Sequence, residues 1–222
     1  MSFRMQQRAM RPIPTSVRLK TAAGDRRDQA ESFVYEAFRA AYGARVRHFF
    51  PLLMTLVSET DTLLAALGLR LAGQEPLFLE QYLDKPAEHV LTMATGALVD
   101  RYGLVEVGNF AVGAAGGGRW LITALTAYLY SAGHNWAVFT CGPELQNAFR
   151  RLGIELVDLG LADPRRLSAE ELANWGSYYV QHPRVMAASV DQSHAVLSPR
   201  FKEECALTPL WSRALAAGTL AA

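Results

Sequence analysis

Glu106 stands inside Leu104–Val112 (LVEVGNFAV), a run of apolar and β-branched residues of strand length. An ionised carboxylate in such a strand is costly unless it is paired or put to use. Used, a partly buried glutamate has the raised pKa of a general base that takes a proton from an amine or ammonium nucleophile. Paired, it is a structural partner of Arg101 or Arg119. Asn109 and the backbone N–H groups of Phe110, Ala111 and Val112 follow on the same strand. A bulge near Gly108 would turn them outward, where they can polarise a carbonyl and hold its developing oxyanion. The alternative for Asn109 is that it merely satisfies the backbone of the bulge.

The strand empties into a glycine-rich elbow, Gly113–Gly118 (GAAGGG), then Arg119 and the apolar helix pattern of Trp120–Ala132. The first N–H groups of a helix lack intrahelical partners and favour negative charge. Gly116, Gly117 and Gly118 let a ligand approach the backbone, and Arg119 can fork onto phosphate. The elbow therefore reads as a seat for a phosphate-bearing ligand. It meets neither the G-x-G-x-x-G nor the G-x-x-x-x-G-K-[ST] pattern, so a plain strand-to-helix connection is its alternative.

Other reactive types are less informative. Glu80 and Asp84 are four apart and share a face if their segment is helical; otherwise they belong to a solvated face before Pro86. Cys141 follows a strand without a histidine pattern nearby and reads as a small buried thiol. The five histidines show no H-x-x-x-H or H-E-x-x-H spacing, so no metal site is expected.

The elements that must position these residues can be read in order. Ser16–Thr21 alternates as a first strand, and Asp25 or Asp28 can cap a helix with an apolar stripe from Ala30 to Ala41. Residues 50–58 and 62–72 form a two-stranded meander. A short helix or turn over Leu77–Leu83 and a helix over Glu88–Arg101 precede the Glu106 strand. Strands at 136–140 and 154–161 flank a helix opened by Gly142-Pro143, and Ser168–Glu171 is a capping box. Trp175–Val190 is aromatic and mixed, and the last 30 residues are helical or loose.

The 222 residues suit one large domain: a basic tail over 1–14, a catalytic-type domain over 15–190 and a C-terminal extension over 191–222. A net charge of +1 gives no global pull toward nucleic acid, although residues 1–50 carry ten Lys/Arg against four Asp/Glu. That half is either a solvated arm or a patch for an acidic partner such as an acyl carrier protein. Two cysteines without a framework, no signal-peptide pattern and no 18-residue apolar window suit a cytoplasmic protein with no stable membrane insertion.

The element order resembles the GNAT acyltransferase fold: an α/β (α+β) chain with a mixed, mostly antiparallel sheet, a splayed central strand and helices on both faces. Asn147–Ile154 (NAFRRLGI) looks like a compressed form of that family's N-x-x-a-x-x-x-Y-x-x-x-G-F region without its tyrosine. More specifically, Leu77–Asp84 (LFLEQYLD), Val105–Ala111 (VEVGNFA) and Trp175–Tyr179 (WGSYY) resemble the thermostable hemolysin family, itself similar in pattern to acyl-homoserine lactone synthases. The resemblance implies a pantetheine arm in the splayed opening and phosphates on the elbow. It further implies Glu80 and Asp84 in an acceptor pocket, Trp175 and Tyr179 on the substrate wall, and Tyr178 as general acid for the leaving thiolate.

The function so implied is transfer of an acyl group from an acyl-CoA or acyl-carrier-protein thioester to an amine. The phosphopantetheine thioester is a donor substrate, with no permanently bound cofactor, in a monomer or homodimer. Three alternatives stand beside it: an autoinducer-synthase-like enzyme using S-adenosylmethionine, a membrane-active haemolysin, and a catalytically inactive GNAT-fold sensor.

Overall fold

The computed structural model describes residues 13–22, 24–113, 117–203 and 208–222. Among them, seven strands form one sheet in the order β1-β2-β3-β4-β5-β7-β6. These are β1 (Ser16–Lys20), β2 (Leu52–Val57), β3 (Leu63–Leu71), β4 (Leu104–Val112), β5 (Trp136–Cys141), β6 (Val157–Leu161) and β7 (Arg184–Ser189). Every neighbouring pair is antiparallel except β4–β5, which is parallel.

The parallel pair sets the architecture. Its register runs from Leu104↔Trp136 to Val107↔Phe139 and stops there, while β4 continues to Val112 and β5 to Cys141. Beyond Val107 the two strands have parted, and the sheet is splayed at its centre. Helices cover both faces. On one lie α3 (Gly117–Ser131), α4 (Pro143–Leu152), α6 (Val190–Glu203) and α7 (Thr208–Thr219); on the other lie α1 (Arg27–Tyr42), α2 (Ala87–Thr95) and α5 (Ala169–Asn174).

The apolar α3 runs through the main core, where Leu121, Ile122 and Leu129 are almost wholly buried. Each such side chain contributes about 1.5–3 kcal/mol of transfer free energy. Residues 191–222, read from sequence as an extension, place Leu210, Trp211 and Ala214 in this same core.

Local expectations differ from the structure at several points. Neither Asp25 nor Asp28 caps α1: Arg26 holds the cap position in a left-handed conformation, and Asp28 sits in the first turn. The helix expected to reach Arg101 ends at Thr95 before Gly96, and a short 3-10 turn, Arg101–Gly103, leads into β4. The mixed stretch after Trp175 contains β7, which inserts between β5 and β6. Its residues Val185–Ala188 are all buried, so the strand shows no alternation to betray it. The capping box at Ser168 is present, with Ser168 Oγ accepting from Glu171 N at 3.2 Å.

Candidate active site

The splay opens into a cavity of about 930 Å³ that reaches both faces of the sheet. On the α3/α4 side its wall is mostly apolar, with Leu125, Phe139, Cys141, Leu145, Ala148 and Phe149, and carries Glu144 from the first turn of α4. On the other side it is aromatic and charged, with Phe50, Arg70, Phe78, Glu106, Trp175 and Tyr178 among the lining residues. Trp175 knits this wall together, its ring 5.3 Å from Tyr178, 6.0 Å from Phe78 and 6.2 Å from Phe38.

Glu106 is buried in this wall at 2 % exposure. Its Oε2 accepts from Phe78 N at 2.7 Å and its Oε1 from Leu79 N at 2.9 Å. The carboxylate thereby pins the 3-10 turn Phe78–Tyr82 to the sheet. No salt bridge reaches it among the described residues: Arg101 is engaged elsewhere and Arg119 is exposed outside the cavity lining. Burial therefore dominates, and the pKa rises to about 7, with the two N–H donors and the more distant Arg70 charge opposing the rise.

The bulge is real and lies one residue beyond Gly108. Opposite Leu67 the ladder slips, so Gly68 faces Gly108 while Ala66 faces Ala111. Asn109 takes φ 50°, a left-handed value that asparagine tolerates. Its side chain turns back into the protein, Oδ1 accepting from Phe50 N at 2.9 Å. Asn109 thus satisfies the backbone of Phe50, in the segment before β2, and not that of the bulge itself. The facing glycines are needed because the Phe50 ring lies across them: a Cβ on Gly68 or Gly108 would meet Phe50 atoms at 2.7 or 2.6 Å.

Gly113 N donates to Leu64 O at 3.0 Å, which fixes the alternation of the ladder. Ala111, paired with Ala66, shares that direction and points its N–H at β3. Phe110 and Val112 then point theirs toward the edge β5 has left. Of the three backbone donors named from sequence, two face the opening and Ala111 does not.

The elbow is only partly described. Gly116 lies outside the described residues, with Ala114 and Ala115. Gly118 lines the cavity; Gly117 is buried, and a Cβ there would lie 2.6 Å from Val112 Cγ1, so its glycine serves packing. Arg119 is exposed and outside the lining.

Glu80 and Asp84 are not in the cavity. Glu80 is bound by Arg101 at 2.6 and 3.1 Å and accepts from Leu77 N and Ala87 N, each at 3.0 Å, which holds its pKa below the usual carboxylate range despite partial burial. Asp84 lies past the 3-10 turn and pairs with Arg166 in solvent, its side chain 84 % exposed. The expected shared face is absent because the turn stops at Tyr82 and Leu83 is extended, so no helix carries Glu80 and Asp84 together.

Tyr178 lines the cavity and donates to Thr140 O at 3.2 Å, on the strand that leaves β4. Burial pushes its pKa well above 10, so it carries its proton at neutral pH. Tyr179 lines the cavity too, but its hydroxyl bonds that of Tyr82. Burial raises the Cys141 thiol to about 12, which makes it a poor nucleophile. Among the described residues no group of three potential ligands could hold a metal ion, and no helix is long and apolar enough to cross a membrane.

Sequence reasoning missed Arg70, Phe50 and the α1 residues Phe38 and Tyr42, all of which line the cavity. The paired glycines Gly68 and Gly108 were the available signal for Phe50. Arg70 sits in an alternating strand, where a charge reads as a wet face.

Comparison with known proteins agrees with this geometry. The LasI acyl-homoserine lactone synthase superposes with a TM-score of 0.55 at 11 % identity, over 82 % of this chain and 93 % of that one. FeeM, an N-acyl amino acid synthase from uncultured soil microbes, gives 0.54 at 16 % identity, over 81 % and 92 %. BjaI, a CoA-dependent acyl-homoserine lactone synthase solved with SAM and isopentyl-CoA, gives 0.52 at 13 % identity, over 83 % and 88 %. At these identities the likeness is one of fold. No curated protein sequence matches the chain. The thermostable hemolysin family model matches residues 20–194, and the chain belongs to that family.

Proposed function

We propose that the protein is an acyltransferase that moves an acyl group from a pantetheine thioester to an amine. The observation that carries this reading is the splayed β4–β5 opening leading into a large cavity with Glu106, unbridged by any cation among the described residues, in its wall. The structurally similar LasI, BjaI and FeeM are synthases of acylated amino compounds by their descriptions, which supports the same class of chemistry here.

In this reading the pantetheine arm enters between β4 and β5, and the acyl chain takes the apolar α3/α4 side. The amine lies on the aromatic side. An ammonium acceptor first loses one proton to solvent; Glu106 then takes a second from the nitrogen as it bonds to the thioester carbonyl carbon. The oxyanion meets the Phe110 N–H, while the Val112 N–H, about 7 Å further along the strand, takes a carbonyl of the pantetheine arm. The C–S bond breaks as the tetrahedral intermediate collapses. Tyr178 gives the departing thiolate its proton and is reprotonated by the proton Glu106 holds, relayed through solvent, so both residues return to their starting states. With a pKa near 7, Glu106 is matched to proton transfer at neutral pH. Gly118 and the exposed Arg119 flank the entrance for the donor's phosphates, and the basic residues of the N-terminal half favour a carrier protein in the cytoplasm as the donor.

The test is thiol release from a panel of acyl-CoA and acyl-carrier-protein thioesters with pooled amines, amino acids and S-adenosylmethionine. Amine-dependent release should fall by about 10²–10⁴ in Glu106→Gln, the range of a lost general base. Folded protein that releases no thiol with any donor refutes the reading. Dye release from liposomes without any thioester would favour a membrane-active haemolysin instead.

The S-adenosylmethionine variant of this reading has its own support. Trp175 and Phe78 offer ring faces beside Glu106, and aromatic faces attract a cationic sulfonium.

A further inference from the structure

Arg70 is a charge in the cavity wall, beside Glu106, that the reaction above does not use. Its backbone is the direct cross-strand partner of Glu106 on β4, so both side chains rise from the same face of the sheet. Its guanidinium lies over Phe50, 4.6 Å from the ring centroid, which restricts where it can point. Phe50 is in turn seated on the facing Gly68 and Gly108 and tied to Asn109.

What Arg70 lacks is a good acceptor. Its buried Nε has no hydrogen-bond partner. Glu75 Oε2 is 3.5 Å away without the alignment of a hydrogen bond, and Nη1 reaches Pro76 O only at 3.4 Å. A buried N–H of a cation left unpaired costs free energy that a native structure ordinarily recovers through a partner. Nor does Arg70 close on Glu106: no ion pair joins them, although they are cross-strand neighbours. A planar cation and a carboxylate thus stand side by side on one cavity wall. Arg70, ion-paired to Glu75 at 3.5 Å through its buried Nε, keeps Nη2 without a bond among the described residues, and Glu106 has no bonded cation there.

That arrangement matches one ligand chemistry, a carboxylate and an ammonium on the same carbon. We infer that Arg70 is a specificity residue that binds the α-carboxylate of the acceptor, and that the acceptor class is the α-amino acid, S-adenosylmethionine included. Arg70 forks onto the carboxylate, which a guanidinium does with two parallel bonds. The α-nitrogen is thereby delivered to Glu106, and the acceptor's side chain meets the aromatic wall of Phe78, Trp175 and Tyr178. The inference rests on the acyltransferase reading for the reaction, but binding of the amino acid can be tested without turnover.

Two arms separate the two claims. In the first, the twenty L-amino acids and S-adenosylmethionine, each beside its carboxamide, are titrated into the protein by calorimetry. At least one acid should bind about 10- to 100-fold more tightly than its amide, the loss expected when charge-assisted bonds are removed. Arg70→Met should collapse that ratio toward one, and Arg70→Lys should restore part of it. In the second arm the same pairs are acceptors in thiol release, and Arg70→Met should raise KM for the acid far more than it lowers kcat.

An acid that binds through Arg70 without turnover overturns acyl transfer and keeps the inference. Turnover with amides or plain amines as good as with acids overturns the inference and keeps acyl transfer. The same holds if Arg70→Met shifts the pH profile equally for all acceptors, because Arg70 would then only tune Glu106. If the Arg70 variants fail to fold, the acid-to-amide ratio in the wild type and in Arg45→Met and Arg47→Met, the other arginines lining the cavity, decides the matter. A ratio unchanged in both keeps Arg70, and a ratio lost in either overturns it.

Discussion

Glu80 and Glu106 lie on either side of one short turn and make the same kind of bonds, yet the protein has set them opposite tasks. Each accepts two backbone N–H groups, Glu80 from Leu77 and Ala87, Glu106 from Phe78 and Leu79. Glu80 also has a guanidinium at 2.6 Å, shared with Glu88. Glu106 has no bonded cation among the described residues. The first is held ionised below the usual range; the second rises to about 7. Backbone donors are common to both, so the counter-ion and the depth of burial decide. A bracket is made by supplying the cation, and a base is made by withholding it.

Removing the cation from the bracket is the largest perturbation of this comparison. Arg101 donates to Glu80, to Glu88 and, through Nε, to Ala72 O at 2.8 Å. Arg101→Met leaves two mostly buried carboxylates facing each other and a carbonyl without its donor. Breaking such a cluster from one side should cost about 3 kcal/mol, below the full penalty of a deep pair because solvent reaches the site. Denaturant unfolding measures it. A loss below about 1 kcal/mol would show that the turn is held through Glu106 alone.

Glu106 should reveal its withheld cation through pH. In the unfolded chain it loses its proton near 4.5, and in the native state near 7. Between those values the native state binds more protons at this group, so its contribution to stability is greatest below 4.5 and declines as pH rises toward 7. A shift of this size corresponds to about 3 kcal/mol across the window. Glu106→Gln should flatten the profile between pH 4.5 and 7, read as melting temperature against pH. The same group should give turnover an acidic limb with a midpoint near 7. If wild type and variant lose stability in parallel, Glu106 is not neutralised by burial and its role as base falls.

Much of this contrast is legible in the sequence itself, and the part that is not has a common cause. A glutamate within LVEVGNFAV announces itself, because a charge in a central apolar strand needs a reason. The capping box at Ser168 and the run from β4 through the elbow into α3 are local signals of the same kind. What the sequence hides depends on residues distant along the chain. Arg70 ends the phase Leu64, Ala66, Gly68 of the strand Leu63–Leu71, opposite its leucine face, and only the register with β4 reveals that this phase faces Glu106. Phe38 looks like part of a core stripe on α1 and Tyr42 falls just past it, and only the splay makes that core hollow. The cations expected beside Glu106, Arg101 and Arg119, are not its partners for the same reason, since proximity along the chain says little about where a guanidinium ends.

The smallest effect is the most diagnostic for Glu80 and Asp84 as a pair. Their spacing of four suggests a shared acidic face, and the resemblance to autoinducer synthases would place both in the acceptor pocket. The turn Phe78–Tyr82 ends between them instead, so Glu80 goes inward to Arg101 while Asp84, past the extended Leu83, goes outward to Arg166. An exposed ion pair of that kind is screened by salt and holds two long side chains in one geometry for little return. Asp84→Ala should therefore leave the unfolding midpoint and the thiol-release rate where they were, while Glu80→Gln, its supposed twin, loses part of the Arg101 bracket and lowers the midpoint. Were Asp84→Ala to raise KM for the acceptor, the turn would have to carry Asp84 into the cavity in a conformation other than this one, and the division between bracket and base would no longer describe the site.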